Sequence, residues 1–162
     1  MRWYWLVSIW VVFGSFLYWW TGLNPLPDGL QNEPIHMKNA FQLWTAAIEF
    51  DQWTLRHTAY YSPWPFGLHL SAWPGLLAMG PGRAALLTAN LWHLGLLIWA
   101  MASLGRAFGA RWAPLLVLLC PGTFGSMVRY EPNLANIAWV AAGLAFLVAS
   151  RGLRSRRHVV GW

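Results

Sequence analysis

Apolar runs separated by short polar punctuation dominate this chain. Four of them are long enough to cross a bilayer of about 30 Å once tilt is allowed. They are Trp3–Trp20, Ala84–Leu104, Trp112–Val128 and Leu134–Ser150. The third holds Pro114, Pro121 and Gly122, which predicts a kink over its last turns. A further apolar stretch, Phe66–Gly80, is shorter, is interrupted by Pro74 and follows Pro63 and Pro65. Between the first two spans lies a connection of about residues 22–83, and connections of such length usually carry function. It opens with Asn24, Pro25, Pro27 and Asp28-Gly29, which is turn chemistry. Further on, Met37, Phe41, Trp44 and Ile48 recur at helical spacing, with polar residues largely elsewhere. This predicts an amphipathic helix lying along the membrane surface, with Glu33 at its N-cap and Pro34 at its first position. The predicted fold class is an all-α integral membrane protein: one membrane domain, residues 1–162, with four transmembrane helices and an extracytoplasmic loop containing amphipathic surface helices.

Composition agrees with that pattern. Apolar residues make up 57% of the chain and charged residues 10%, against about 25% charged in an ordinary soluble domain. Tryptophan favours the membrane–water interface, and the first apolar run carries Trp3-Tyr4-Trp5 at one end and Tyr18-Trp19-Trp20 at the other. That run is led by Arg2 and lacks a small-residue cleavage site, so it reads as an uncleaved anchor. One cysteine, Cys120, excludes an intrachain disulfide. The net charge of +6 does not point to nucleic acid, because the basic residues cluster beside apolar runs.

Those basic residues decide the topology. With four spans and the N-terminus inside, Arg2, Arg106, Arg111, Arg151, Arg154, Arg156 and Arg157 fall inside, and Lys38, Arg56, Arg83 and Arg129 outside. If Phe66–Gly80 also spanned, the inside would keep only Arg2, Arg83 and Arg129. The positive-inside rule favours the first arrangement. It predicts an integral protein of the cell (inner) membrane with both termini cytoplasmic, and makes Phe66–Gly80 an interfacial or re-entrant segment. All five acids, Asp28, Glu33, Glu49, Asp51 and Glu131, then lie on the outer side.

Two acids precede prolines at predicted helix starts. Glu33 and His36, three apart, read either as a base or metal ligand with its partner, or as an N-cap beside a solvated histidine; spacing alone favours the second. Glu131 stands in the turn Arg129-Tyr130-Glu131-Pro132, and its plain reading is a solvated turn charge. Set against that, the turn places Arg, Tyr and Glu side by side at the membrane surface, where polar clusters often face a cavity. Asp28, Glu49 and Asp51 read as solvated charges. His57 and His158 read as loop residues. His69 and His93 lie in apolar stretches, where a bis-histidine haem is conceivable but unsupported by any second pair.

An N-terminal anchor leads into an outer loop with Gln31-Asn32-Glu33 at the head of a surface helix. The aromatic–proline stretch Tyr60-Tyr61-Ser62-Pro63-Trp64-Pro65 follows, and Tyr130-Glu131-Pro132 precedes the last span. This order resembles the N-terminal part of the C-type membrane glycosyltransferases, and within them the protein O-mannosyltransferases and lipid A aminoarabinose transferases. Such enzymes use a sugar carried on a polyprenyl phosphate. The family usually has Asp at the first site, often followed by another acid, where this chain has Glu33-Pro34. Family members also have more than ten spans, so the chain is expected to be the first part of such an enzyme or a reduced relative.

The resemblance implies attack of an acceptor hydroxyl on the anomeric carbon of the lipid-linked sugar on the extracytoplasmic side. The lipid phosphate is a good leaving group, so one carboxylate base suffices. By that resemblance Glu33 is the base, His36 orients it, and Glu131 is a second carboxylate in the pocket. Arg129 meets the phosphate, with Tyr130, Tyr60 and Tyr61 as further substrate contacts. A divalent metal between Glu33 and Glu131 would fit, without being required. The acceptor stays open. The alternative reading is a non-catalytic membrane subunit or lipid-binding module that packs on a larger partner. A third is a haem-binding electron carrier.

Overall fold

The computed structural model of the chain describes residues 3–24, 33–61 and 66–150, and at 58–61 and 66 the backbone alone. Among these residues the secondary structure is entirely helical. The helices are α1 (Trp3–Leu23), α2 (Glu33–Ile48), α3 (Gln52–Tyr61), α4 (Phe66–Ser71), α5 (Trp73–Met79), α6 (Arg83–Ala107), α7 (Ala113–Leu118), α8 (Pro121–Met127) and α9 (Pro132–Ala149). Three of them, α1, α6 and α9, are long and apolar enough to cross a membrane.

The third expected span differs. Residues 112–128 form no continuous helix but the short pair α7 and α8, broken at Leu119-Cys120. Pro121 is the cause. Its ring disfavours a helical residue before it, and Cys120 is extended at φ −65°, ψ 126°. Phe66–Gly80 is likewise two short helices, α4 and α5. Leu68, Ala72 and Leu76 in it are buried against Ala85, Leu86 and Ala89 of α6.

Helix α6 is the centre of the bundle, about half buried, whereas α1 and α9 are mostly exposed. It meets α9 across small side chains: Ala89 and Ala100 on one helix, Ala135, Ala138, Ala142 and Ala145 on the other. Small residues let apolar helices approach closely where lipid offers no hydrophobic drive to pack. The opposite face of α9, with Trp139, Val140 and Leu144, is exposed, as suits a lipid-facing surface.

Contacts fix the chain directions. Asn24, just past α1, meets Arg83 at the start of α6, Trp10 Nε1 donates to the Leu91 carbonyl at 2.7 Å, and Trp3 shares a groove with Trp99. Helix α1 is therefore antiparallel to α6. At the far end of α6, Gly105 sits so close to the Ala110 carbonyl and Ala113 that a side chain would not fit. From there α7 and α8 return to the first end, where Asn90 donates to the Met127 carbonyl at 2.7 Å. Helix α9 then runs parallel to α6. The start of α6, the turn before α9 and the head of α2 thus share one end of the bundle.

Candidate functional site

The polar groups at that end are organised around Arg83, the first residue of α6. Its Nε donates to Glu33 Oε1 at 2.7 Å and its Nη2 to Oε2 at 3.0 Å. Nη2 also donates to the Val128 carbonyl at 3.1 Å, and Nη1 to the carbonyl of Asn24. The planar guanidinium suits such a two-pronged grip on carboxylate. One side chain therefore ties together the end of α1, the head of α2 and the turn before α9. Both partners are buried, Glu33 completely.

Glu33 Oε1 takes a further hydrogen bond from the backbone N–H of Tyr130 at 3.1 Å. The two acid–proline sites of the sequence are therefore not independent helix caps. Glu131, next to Tyr130, occupies the cap position of α9 with extended backbone (φ −136°, ψ 157°). It is nearly buried, and its Oε2 accepts from the Asn133 side-chain amide at 3.0 Å. Asn90, fully buried within α6, clamps the same turn, donating to the carbonyls of Met127 and of Arg129 at 2.7 and 2.8 Å. Arg129 itself is half-buried.

Beside the ion pair lies a second group. His36, one turn into α2, is fully buried, and its ring centre stands 6.0 Å from that of His69 on α4. His69 Nδ1 is 3.1 Å from the Tyr130 hydroxyl, which is also 3.3 Å from the Leu68 carbonyl. With the phenol donating to that carbonyl, Nδ1–H donates to the phenol oxygen and His69 Nε2 presents a bare lone pair. Nε2 has no hydrogen-bond partner among the described residues. Burial pushes His69 down to about 4, with the neighbouring His36 adding to the effect, and lowers His36 as well. Burial also raises the Tyr130 phenol. The group is thus neutral at physiological pH.

The structure brings together Glu33, His36, Tyr130 and Glu131 from the sequence-derived set, with Arg129 at the edge. Tyr130, expected at a phosphate, is instead fully buried in the helix packing. Tyr60 and Tyr61 form the last turn of α3, and their side chains lie outside the described residues. So do Asp28, Gln31-Asn32, the Ser62–Pro65 stretch and the C-terminal arginines. His69 stands beside His36 and Tyr130. Asp51 is more than a solvated charge. It caps α3 through the backbone N–H groups of Trp53 and Thr54, and the Thr54 hydroxyl and N–H hold its carboxyl below the usual range. Among the described residues no three His, Cys, Asp or Glu side chains group closely enough to hold a metal ion.

Arg83, His69 and Asn90 were not legible as site residues from spacing. For His69 and Asn90 the signal is a polar side chain within an apolar run, which in a membrane faces protein rather than lipid; Arg83, just ahead of its run, carries no such signal. Compared with protein-family models, curated proteins and solved structures, the chain finds no match in any of the three.

Proposed function

We propose that the chain is the N-terminal membrane module of a glycosyltransferase that uses a polyprenyl-phosphate sugar, and that the Arg83 end of the bundle is where sugar passes to an acceptor. The observation that carries this reading is the meeting of both acid–proline sites, Glu33 from α2 and the Tyr130-Glu131 turn, through one hydrogen bond across 97 positions. In this reading the chain crosses the inner membrane four times, by α1, α6, the broken pair α7–α8, and α9. Both termini are cytoplasmic, and the acids are outside.

The proposed roles differ from those that the resemblance implies. Glu33 grips Arg83 with both oxygens, so it positions the turn before α9 rather than taking a proton. Glu131 becomes the base, and Arg129 meets the lipid phosphate. The acceptor oxygen bonds to the anomeric carbon, the bond from that carbon to the phosphate oxygen breaks, and the lipid phosphate leaves with the electron pair. The hydroxyl proton passes to Glu131.

A second reading is a non-catalytic membrane subunit, favoured by the complete burial of Glu33 in an ion pair. Membranes bearing the chain, given polyprenyl-phosphate mannose labelled in the sugar, distinguish the two. The first reading expects labelled acceptor and released lipid phosphate, lost in Glu131→Gln with insertion unchanged. Absence of release from the wild type, including when the open reading frame around it is expressed, would leave the subunit reading.

A further inference from the structure

The opposite end of the bundle carries a groove of about 780 Å³ between α1 and the start of α7. This falls within the range of roughly 300–1,000 Å³ typical of small-ligand sites. Its walls are hydrocarbon: Ile9, Val12 and Phe13 from α1 face Leu115 from α7. Its rim is aromatic and basic, with Tyr4, Trp112 and Arg111. Trp112 is 66% exposed, and Arg111 is exposed beside it in the α6–α7 turn. The Ser8 hydroxyl in the groove is already committed to the Tyr4 carbonyl at 3.0 Å, which leaves Arg111 as its charged donor.

Arg111 has no acid near it in sequence. The sequence holds no Asp or Glu before residue 28 and none from 84 to 130, and Arg111 makes no ion pair among the described residues. A hydrocarbon slot that ends in aromatic side chains and a guanidinium matches a lipid in three respects. Acyl chain lies along Ile9, Val12 and Phe13. Glycerol sits at the level of Tyr4 and Trp112, where amphipathic rings settle at membrane interfaces. A phosphate meets Arg111. We infer that this groove binds one anionic phospholipid, with its phosphate on Arg111 and an acyl chain between α1 and α7.

Native mass spectrometry of the full chain in detergent tests this with palmitoyl-oleoyl phosphatidylglycerol against the matching phosphatidylcholine. The wild type should retain phosphatidylglycerol about fivefold better, the worth of one basic residue near an anionic headgroup. Arg111→Gln should bring the two lipids to parity. Arg106→Gln removes a neighbouring exposed charge that bonds Ser103 but lies outside the groove, and should keep the preference. Val12→Trp should lower retention of both lipids by filling the slot. Equal retention of the two lipids by the wild type, an equal loss in Arg106→Gln, or unchanged retention in Val12→Trp would each overturn the inference.

Discussion

Arg83 reaches Glu33, Asn24 and Val128 with one guanidinium, so Arg83→Met removes the counter-charge of a fully buried carboxylate. Losing one member of a buried pair costs about 3–5 kcal/mol, whereas replacing both with apolar or neutral groups is often nearly neutral. Arg83→Met and Glu33→Gln should each destabilise the protein by that order, and the double variant should recover most of it. Thermal unfolding of all four proteins in one detergent measures the coupling, and additive losses would contradict the pairing. His69 gives a pH dependence with a definite sign. Its folded value of about 4 lies below the ordinary 6.5, so the unfolded chain binds the proton first as pH falls. Stability is complete above about 6.5, falls between 6.5 and 4, and levels off below. A tenfold change is worth about 1.4 kcal/mol, so the whole window spans roughly 3 kcal/mol. His36 is lowered in the same sense. Melting temperatures from pH 7.5 to 4.5 should fall for the wild type and fall less for His69→Phe. At this scale the acids were legible in the sequence, because an acid before a proline marks a helix start. Arg83 was not, because its place at the head of α6 made it look like an ordinary loop charge.

Helix α2 shows why a stripe can be found and its direction misjudged. The spacing of Met37, Phe41, Trp44 and Ile48 correctly predicted a helix. Yet the buried line is Glu33, His36, Ala40, Leu43 and Ala46, with Met37, Phe41 and Trp44 only half-buried beside it and Ile48 exposed. Large apolar side chains tolerate lipid, so in a membrane they do not mark the packed face as they do in water. Small and polar residues mark it instead. The broken third span has a similar cause: its apolar content read as one crossing, while Pro121 and the extended Cys120 divide it. Close packing of α5 on α6 depends on Gly75, where an added Cβ would run into the Ala85 carbonyl and the Thr88 hydroxyl. Gly75→Ala should push these helices apart and cost about 1–3 kcal/mol. Gly82→Ala is the control, since its Cβ would meet nothing and its φ of −179° suits any residue. Equal melting temperatures for the two variants would contradict the close approach.

Across the whole molecule, polar groups are sorted by end. The Arg83 end holds a buried ion pair, a histidine pair and the acid of the last turn, whereas the Phe108 end holds Arg106 and Arg111 with no acid nearby in sequence. The basic residues alone led to the expected orientation, because each long apolar helix reverses the side and arginines accumulate on one. Glu33 and the Tyr130-Glu131 turn were expected in one pocket only through the family resemblance, and the Arg83 grip that links them was not readable from spacing. The central claim is that this convergence occurs at the outer face of the membrane. Single cysteines in a Cys120→Ser background test it directly, one replacing Gly80 beside the start of α6 and one replacing Phe108 beyond its end. A membrane-impermeant maleimide applied to intact cells should label the Gly80 position at once and the Phe108 position only after permeabilisation. Labelling of the Phe108 position in intact cells, with the Gly80 position protected, would contradict the account.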